Sequence, residues 1–173
     1  MALLAPVITA ANVYGDNNVL IGTGDVTLPS LSYVTFDAQG AGVLGSVAVS
    51  TPNLEALELT INYTSCDLTQ VGQASPLPRD LEIRANVQKT DQRTGELVDE
   101  GVAIFGRGRP KSVPLGSVIA GQQMGGSITY EMSTLRIDID GAAILQIDKF
   151  NRIFKILLNG AFVDILERER GNT

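Results

Sequence analysis

Apolar and polar residues alternate along much of this chain with the two-residue period of a β-strand. The segments LELTINY (57–63) and LEIRANV (81–87) place an apolar residue at every second position. Because successive side chains of a strand point to opposite faces, each segment predicts a strand with one buried face. The 3.6-residue period of a helix is not sustained, and only residues 65–73 predict one short helix.

Turn signals join the predicted strands into antiparallel hairpins. Residues 90–95 form a polar turn between LEIRANV and the apolar run that begins at Leu97. Asp140-Gly141 and Asn159-Gly160 each separate two apolar segments. Both residue pairs accept the positive φ angles of a type I′ turn, so each predicts a tight hairpin.

The apolar positions change phase once within a predicted strand, around Ser133 and Thr134. A shift of one residue moves every later side chain to the other face, so this change predicts a β-bulge. We therefore expect residues 1–173 to form a single, mainly β domain. The predicted fold is an antiparallel β-sandwich or barrel with one short helix.

Several residue types needed for common enzyme chemistry are missing. The chain has no histidine, and its one cysteine, Cys66, can form no internal disulfide. Gly40–Gly45 matches G-x-G-x-x-G, but the alternation after it predicts a strand, whereas a dinucleotide site needs a helix there. We expect no catalytic residues, no cofactor, no metal site and no enzyme activity.

The charge is distributed unevenly. The formal net charge is −6, and residues 1–78 carry six acidic residues and no lysine or arginine. A negative surface is unfavourable for binding DNA phosphates, so we expect no stable nucleic-acid binding. No apolar run approaches the roughly 20 residues of a transmembrane helix, and we expect no lipid anchor or export signal.

One basic run, GRGRPK (106–111), is similar to the minor-groove clamp of an AT-hook. An AT-hook lies in a disordered tail, whereas this run directly follows the apolar strand segment GVAIF (101–105). We therefore interpret Arg107, Arg109 and Lys111 as a solvated turn or a partner-facing ion-pair patch at the end of a strand.

The order of short motifs resembles the major tail tube protein family of contractile-tailed bacteriophages, from about residue 12 to the end. The matching positions in the first two thirds are Thr27-Leu28-Pro29, Gly40-Ala41-Gly42 with Gly45, and Arg107-Gly108-Arg109 with Lys111. Those in the last third are Tyr130, Leu135, Ile137-Asp138, Asp140-Gly141, Ile147-Asp148, Asn151 and Asn159-Gly160.

This resemblance implies a structural role in a virion tail. Subunits of the family form hexameric rings, and hairpins of neighbouring subunits complete one barrel around a bore. The rings stack into a tube inside a contractile sheath, between a baseplate and a tail terminator, and DNA passes through. With about 24 tilted strands, the bore would be about 40 Å wide inside its side chains. Assembly is expected in the bacterial cytoplasm.

A DNA conduit should avoid cations in its bore, because lysine and arginine dominate non-specific phosphate binding. Residues 28–50 contain no base and one acid, Asp37. We predict that one face of this hairpin looks into the bore, and that the alternate apolar residues pack on the protein core. The predicted bore residues are Tyr33, Thr35, Asp37, Ser46 and Ala48; the predicted core-facing residues are Leu28, Val34, Phe36, Val43, Val47 and Val49.

The resemblance also implies that the basic run lies at an interface with another protein. Arg107, Arg109 and Lys111 are predicted to meet acids on an adjacent subunit or on the sheath. Two alternatives stay open: the tube of a tail-like bacteriocin or secretion system, which carries no genome, and a monomeric β-sandwich that binds a peptide or sugar.

Overall fold

The computed structural model describes residues 6–16, 19–38, 45–63, 72–91, 93, 95–122, 124–158 and 160–166. Eleven β-strands are the regular elements of these residues. The first six are β1 (Val7–Gly15), β2 (Val19–Thr27), β3 (Tyr33–Ala38), β4 (Val47–Leu54), β5 (Glu58–Tyr63) and β6 (Arg79–Thr90). The others are β7 (Leu97–Ser112), β8 (Gly126–Ile139), β9 (Ala142–Asp148), β10 (Ile153–Leu158) and β11 (Ala161–Asp164).

Six strands close into an antiparallel barrel in the order β8-β5-β2-β1-β6-β7, because β7 also pairs with β8. The predicted long hairpin is β6–β7, whose ladder runs from Arg79↔Gly108 to Thr90↔Leu97. Closure gives every barrel strand a neighbour on each side, although in β1, β2 and β7 the two pairings overlap over less than half of the strand. Of the two predicted architectures, the chain adopts the barrel.

Alternating apolar residues fill the barrel. Leu57, Leu59 and Ile61 are fully buried, and Tyr63 is nearly so, as the pattern of LELTINY predicts. Strands β6, β7 and β8 add their inward-facing residues to the same core. The other core residues are Val13, Ile21, Leu81, Ile83, Ile104, Ile128, Tyr130, Met132, Leu135, Ile147 and Phe154.

The predicted bulge is present in β8. Arg107 of β7 pairs with Thr134 and the next residue, Gly108, pairs with Met132, so Ser133 is the extra residue. Its hydroxyl donates a hydrogen bond to the Arg107 carbonyl (2.9 Å), and the Arg107 N–H donates to Thr134 Oγ1 (3.0 Å). The two bulge hydroxyls therefore replace ladder bonds that the extra residue interrupts.

On the edge of β8 opposite β7, the bulge separates the pairing with two different strands. The first half of β8, from Gly126 to Glu131, pairs with β5, and its second half, from Thr134 to Ile139, pairs with β9. Strands β9, β10 and β11 thus extend from the barrel as a side sheet. The Asp140-Gly141 turn joins β8 to β9 with both φ angles positive, as predicted.

The second predicted tight turn joins β10 to β11, where Leu158 pairs with Ala161 and Gly160 has a φ of 80°. Asn159 lies outside the described residues, as do most of the predicted helix at 65–73 and residues 40–44 of the glycine motif. The residues after that motif form β4, which is the predicted strand. In the described part of the chain, no helix is long and apolar enough to cross a membrane.

Candidate assembly surfaces

Strands β3 and β4 form a separate two-stranded sheet. Directly opposite residues share a face, and the ladder pairs Thr35 with Ser50 and Asp37 with Ala48. The other face carries Phe36 opposite Val49 and Ala38 opposite Val47. Ser46 is exposed just before β4. The predicted division into a polar, weakly acidic face and an apolar face therefore holds along the paired part of the hairpin.

The apolar face does not pack on this chain's own core, contrary to the prediction. Phe36 is 62% exposed, Val47 51% and Val49 50%, and Leu28 before the hairpin is also exposed. Of the other predicted core-facing residues, Val34 is half-buried and Val43 lies outside the described residues. Residues of the polar face are exposed as well. Alternation tells which residues share a face, but not which molecule covers it. Three large, exposed apolar residues on this separate hairpin form a surface that another molecule would cover.

Tyr33 occupies a different place from the other predicted bore residues. It lies at the base of the hairpin, where its ring centroid is 6.3 Å from that of the buried Phe154. The register shifts between Tyr33 and Thr35, and Thr51 Oγ1 donates a 2.7 Å hydrogen bond to the Val34 carbonyl there. The ring contact connects the hairpin to the core, and Thr35, Asp37 and Ala48 lie further out.

A second group of strands extends past the barrel with open edges. Residues 7–11 of β1 pair only with β6 within the described residues, and residues 97–100 of β7 likewise pair only with β6. We call this three-stranded part of β1, β6 and β7 the ribbon; it consists of residues 7–11, 85–90 and 97–100. Its exposed apolar residues include Val7, Ile8 and Leu97. Open strand edges next to apolar side chains are templates for pairing with another chain.

The basic run GRGRPK lies inside β7, which continues to Ser112, so the prediction that it follows the end of a strand is wrong. Its glycines explain why the strand continues. A Cβ on Gly106 would lie 2.3 Å from Met132 Cε, and one on Gly108 would lie 2.7 Å from Met132 Sδ. The buried Met132 thus occupies the space that side chains at 106 and 108 would need.

The three cations of the run alternate with these positions and are exposed. Arg107 Nε lies 3.6 Å from Asp80 Oδ1, and Lys111 Nζ contacts Glu58 Oε1. The Glu58 carboxylate raises the pKa of Lys111 by accepting this hydrogen bond. The Arg109 side chain makes no hydrogen bond or ion pair with any residue that the structure describes. Two of the three cations therefore already have acidic partners within the chain.

Strand periodicity does not predict one exposed feature near this run, which is the turn between β9 and β10. The turn between β9 and β10 is organised by Asp148, which accepts hydrogen bonds from Phe150 N (3.0 Å), Asn151 N (2.9 Å) and Asn151 Nδ2 (2.7 Å). The bond from the Asn151 backbone is the main cause that lowers the pKa of Asp148. This turn presents the Phe150 ring, which is 83% exposed.

Within the described residues, no group of three or more histidine, cysteine, aspartate or glutamate residues could hold a metal ion. The exposed features are instead strand edges, apolar faces and charged pairs. This arrangement suits contacts between protein surfaces, which need complementary area more than a deep cleft.

Comparison with known proteins gives a consistent result. The sequence profile of the family described as "Phage tail tube protein FII" matches residues 6–172. The tail tube protein of Escherichia phage P2 is 29% identical over 155 residues, which cover 85% of this chain and 84% of that protein.

Solved structures share the fold at low sequence identity. A sheath/tube terminator of the PVC extracellular contractile injection system in its extended state matches with a TM-score of 0.53 and 16% identity, over 79% of this chain and 99% of that one. A chain of the PVC sheath–tube complex in its extended state matches with a TM-score of 0.51 and 14% identity, over 75% of this chain and 88% of that one.

Proposed function

Because the chain belongs to the phage tail tube protein FII family, its role is structural rather than enzymatic, and we propose that six copies form a ring that stacks into the inner tube of a contractile tail. Residues 1–173 would act as one tail-tube domain, since the family match spans 6–172 and one core unites the barrel with the side sheet. The protein is a component of the virion tail, and we infer assembly in the host cytoplasm.

The observation that carries this proposal is the uncovered β3–β4 hairpin. Both of its long edges lack a strand partner among the described residues, and its apolar face is exposed. Pairing these edges with the ribbon of a neighbour would satisfy backbone groups and cover apolar residues of both copies. Repeated around a ring, this contact would close one inter-subunit barrel, with the polar face of the hairpin towards the bore.

The chemistry of that face suits a conduit for DNA. Thr35, Asp37, Ala48 and the nearby Ser46 supply small or acidic side chains and no cation. Phosphates would find no lysine or arginine on this face, so DNA would pass transiently without being held. Tyr33 would lie at the base of the hairpin, near the rim of this surface.

The partners are inferred from relatives. The matched structures include a sheath–tube complex and a sheath/tube terminator. We infer that this tube is surrounded by a sheath and capped by a terminator, and that it begins at a baseplate. The exposed Arg109, together with Arg107 and Lys111 if their internal ion pairs exchange partners, would meet acids of the sheath or of a neighbouring subunit.

A charge introduced into the bore tests the proposal. The variant T35K/S46K places two lysines on the polar side of the hairpin, and T35Q/S46Q is a matched control of similar size without charge. We expect both variants to form tubes in phage particles. Genome ejection should be slowed in the lysine variant alone, because the lysines attract passing phosphates. Unimpaired ejection by T35K/S46K would refute the assignment of the bore face.

One alternative function is the tube of a tail-like bacteriocin or injection system, which carries no genome. It is compatible with the matched structures because these belong to a contractile injection system. Such a tube could use the same subunit contacts. Purified particles containing this subunit separate the two possibilities: DNA in the particles supports the phage tail, and sheathed particles without capsid or DNA support the alternative.

A further inference from the structure

The connection between β7 and β8 is an exposed loop without charge. The sequence has no charged residue between Lys111 and Glu131. We call residues 115–124 the apolar loop, of which all but residue 123 are described. Val118 is 88% exposed, and Leu115, Ile119 and Met124 are also exposed. An apolar, uncharged loop in water is a surface that gains stability when a partner covers it.

The base of the apolar loop is closed by backbone contacts. Ser127 N donates a hydrogen bond to the Pro114 carbonyl (3.2 Å), and a Cβ on Gly116 would lie only 1.6 Å from the Gly125 carbonyl oxygen. The two legs of the loop therefore touch at a position where only glycine fits. A further bond from Gln122 N to the Ile119 carbonyl (3.2 Å) forms a turn within the loop. This ordering reduces the entropy lost on binding.

A second apolar surface lies at the opposite end of β8. The apolar loop precedes Gly126, where β8 begins. β8 spans 14 residues, and its 13 steps of roughly 3.3 Å give a length of about 43 Å. Leu145 pairs with both Ile137 of β8 and Ile156 of β10, so the end of β10 lies level with the far end of β8. The exposed residues there are Leu157, Leu158 and Phe162.

We propose that the apolar loop of one copy packs against the β10–β11 end of the next copy along the tube axis. This contact joins two different surfaces at opposite ends of one subunit, so it is head-to-tail and repeats without closing. Such a contact produces a stack of any length. The inference rests on the proposed tube function, and it assigns the contact between rings to residues separate from the β3–β4 hairpin and the ribbon.

Two arguments identify the partner that covers the apolar loop as a second copy of this chain. A stacked ring needs one contact around the ring and another along the axis, and in the proposed ring the open strand edges would supply only the first. The apolar loop offers no charge to an ionic partner, whereas Leu157, Leu158 and Phe162 offer a second apolar surface at the end that a translated copy would meet.

Site-directed crosslinking tests the contact directly. In a C66S background, V118C/F162C would be treated with a short bis-maleimide after tubes have formed. We expect a ladder of covalent multimers from tubes and none from dissociated subunits. The matched control is V118C/F150C, because Phe150 is nearly as exposed as Val118 but lies on the turn after Asp148, which pairs with Thr134 midway along β8. Tubes in which V118C/F162C gives no ladder, or in which only V118C/F150C does, would overturn the proposal.

A charge at the tip of the loop gives a second test. Because Val118 is exposed, V118D should leave the melting temperature of the subunit unchanged while reducing the sedimentable tube fraction at least tenfold. F150D places the same charge at an apolar residue of similar exposure and should assemble like wild type. Normal tubes from V118D would refute the stacking contact alone, whereas failure of wild type to form rings or tubes, even with a preformed tube end as nucleator, would refute the proposed function.

Discussion

Gly106 and Gly108 of GRGRPK lie so close to Met132 that we expect alanine at either position to destabilise the fold. Replacing Gly108 with alanine would place a Cβ 2.7 Å from Met132 Sδ and 2.9 Å from the Glu131 carbonyl oxygen. The methionine side chain can rotate, but the carbonyl is held in the barrel ladder. Overpacking of this kind costs about 1–3 kcal/mol. For a chain of this size, that lowers the melting temperature by roughly 2–4 °C per kcal/mol.

The same strand supplies the matched control. Nothing lies within 4 Å of a Cβ built on Gly101. There, alanine should be neutral or stabilise the fold by about 0.4–1 kcal/mol, because it restricts the unfolded chain. G108A and G101A thus carry the same chemical change in β7 with opposite expected signs.

A double-mutant cycle then separates Met132 from the backbone. A Cβ on Gly106 would meet Met132 Cε at 2.3 Å and the Thr134 carbonyl oxygen at 2.9 Å. M132A alone should cost about 2–5 kcal/mol through the cavity that it leaves. In the M132A background, G106A should cost less than in wild type, because its closest contact has been removed.

The assay is urea unfolding of each variant at a concentration where sedimentation velocity gives a monomer. The reasoning would be refuted if G106A and G108A were as stable as G101A, or if M132A left the cost of G106A unchanged. Either result would mean that the glycines are not required by the packing of Met132, and it would leave the backbone flexibility of an AT-hook as their explanation.

Three further predictions concern stability against pH and DNA binding. Burial raises the pKa of Tyr130 to about 12, so wild type should lose stability as pH rises from about 10 towards 12. Y130F should avoid about 1.4 kcal/mol of the loss between pH 8 and pH 11, measured by urea unfolding. Hydrogen bonds from Asn151 lower the pKa of Asp148, so their contribution is present at pH 7 and is lost as pH falls through that pKa. D148A should therefore destabilise the protein at pH 7, and this cost should shrink as the pH falls through the lowered pKa of Asp148. Finally, R107A/R109A should leave the weak duplex DNA binding of the subunit unchanged in fluorescence anisotropy at physiological salt.

Each of these predictions has a clear contrary result. Equal losses of stability in Y130F and wild type up to pH 11 would contradict the burial effect on Tyr130. A pH-independent cost of D148A would mean that its turn does not depend on the carboxylate. Tight DNA binding that disappears in R107A/R109A would restore the DNA-clamp interpretation of the basic run.

Much of the fold is predictable from local sequence patterns. The alternation of LELTINY predicted one of the most deeply buried strands, and the phase change at Ser133 located the bulge, because both effects depend on neighbouring residues alone. The closure of the barrel was not predictable in this way. It depends on the pairing of β7 with β8, and periodicity does not specify which strands pair.

The candidate surfaces were predicted in part. Alternation in residues 33–50 gave the two faces of the hairpin, but it could not show that the chain leaves Phe36 and Val49 uncovered. The strand around GRGRPK was missed because glycine and proline usually mark turns, and the reason for Gly106 and Gly108 is a distant methionine. The apolar loop has no periodicity that would have distinguished it from an ordinary connection.

Cryo-electron microscopy of the purified protein tests the central claim most directly, over a concentration series with and without a preformed tube end as nucleator. We predict hollow tubes of stacked six-fold rings, with density for β3–β4 lining the bore and the apolar loop between rings. A monodisperse monomer at every concentration, with the nucleator present, would contradict the tube function. Tubes in which the β3–β4 hairpin lies on the outer wall would contradict the account of the bore.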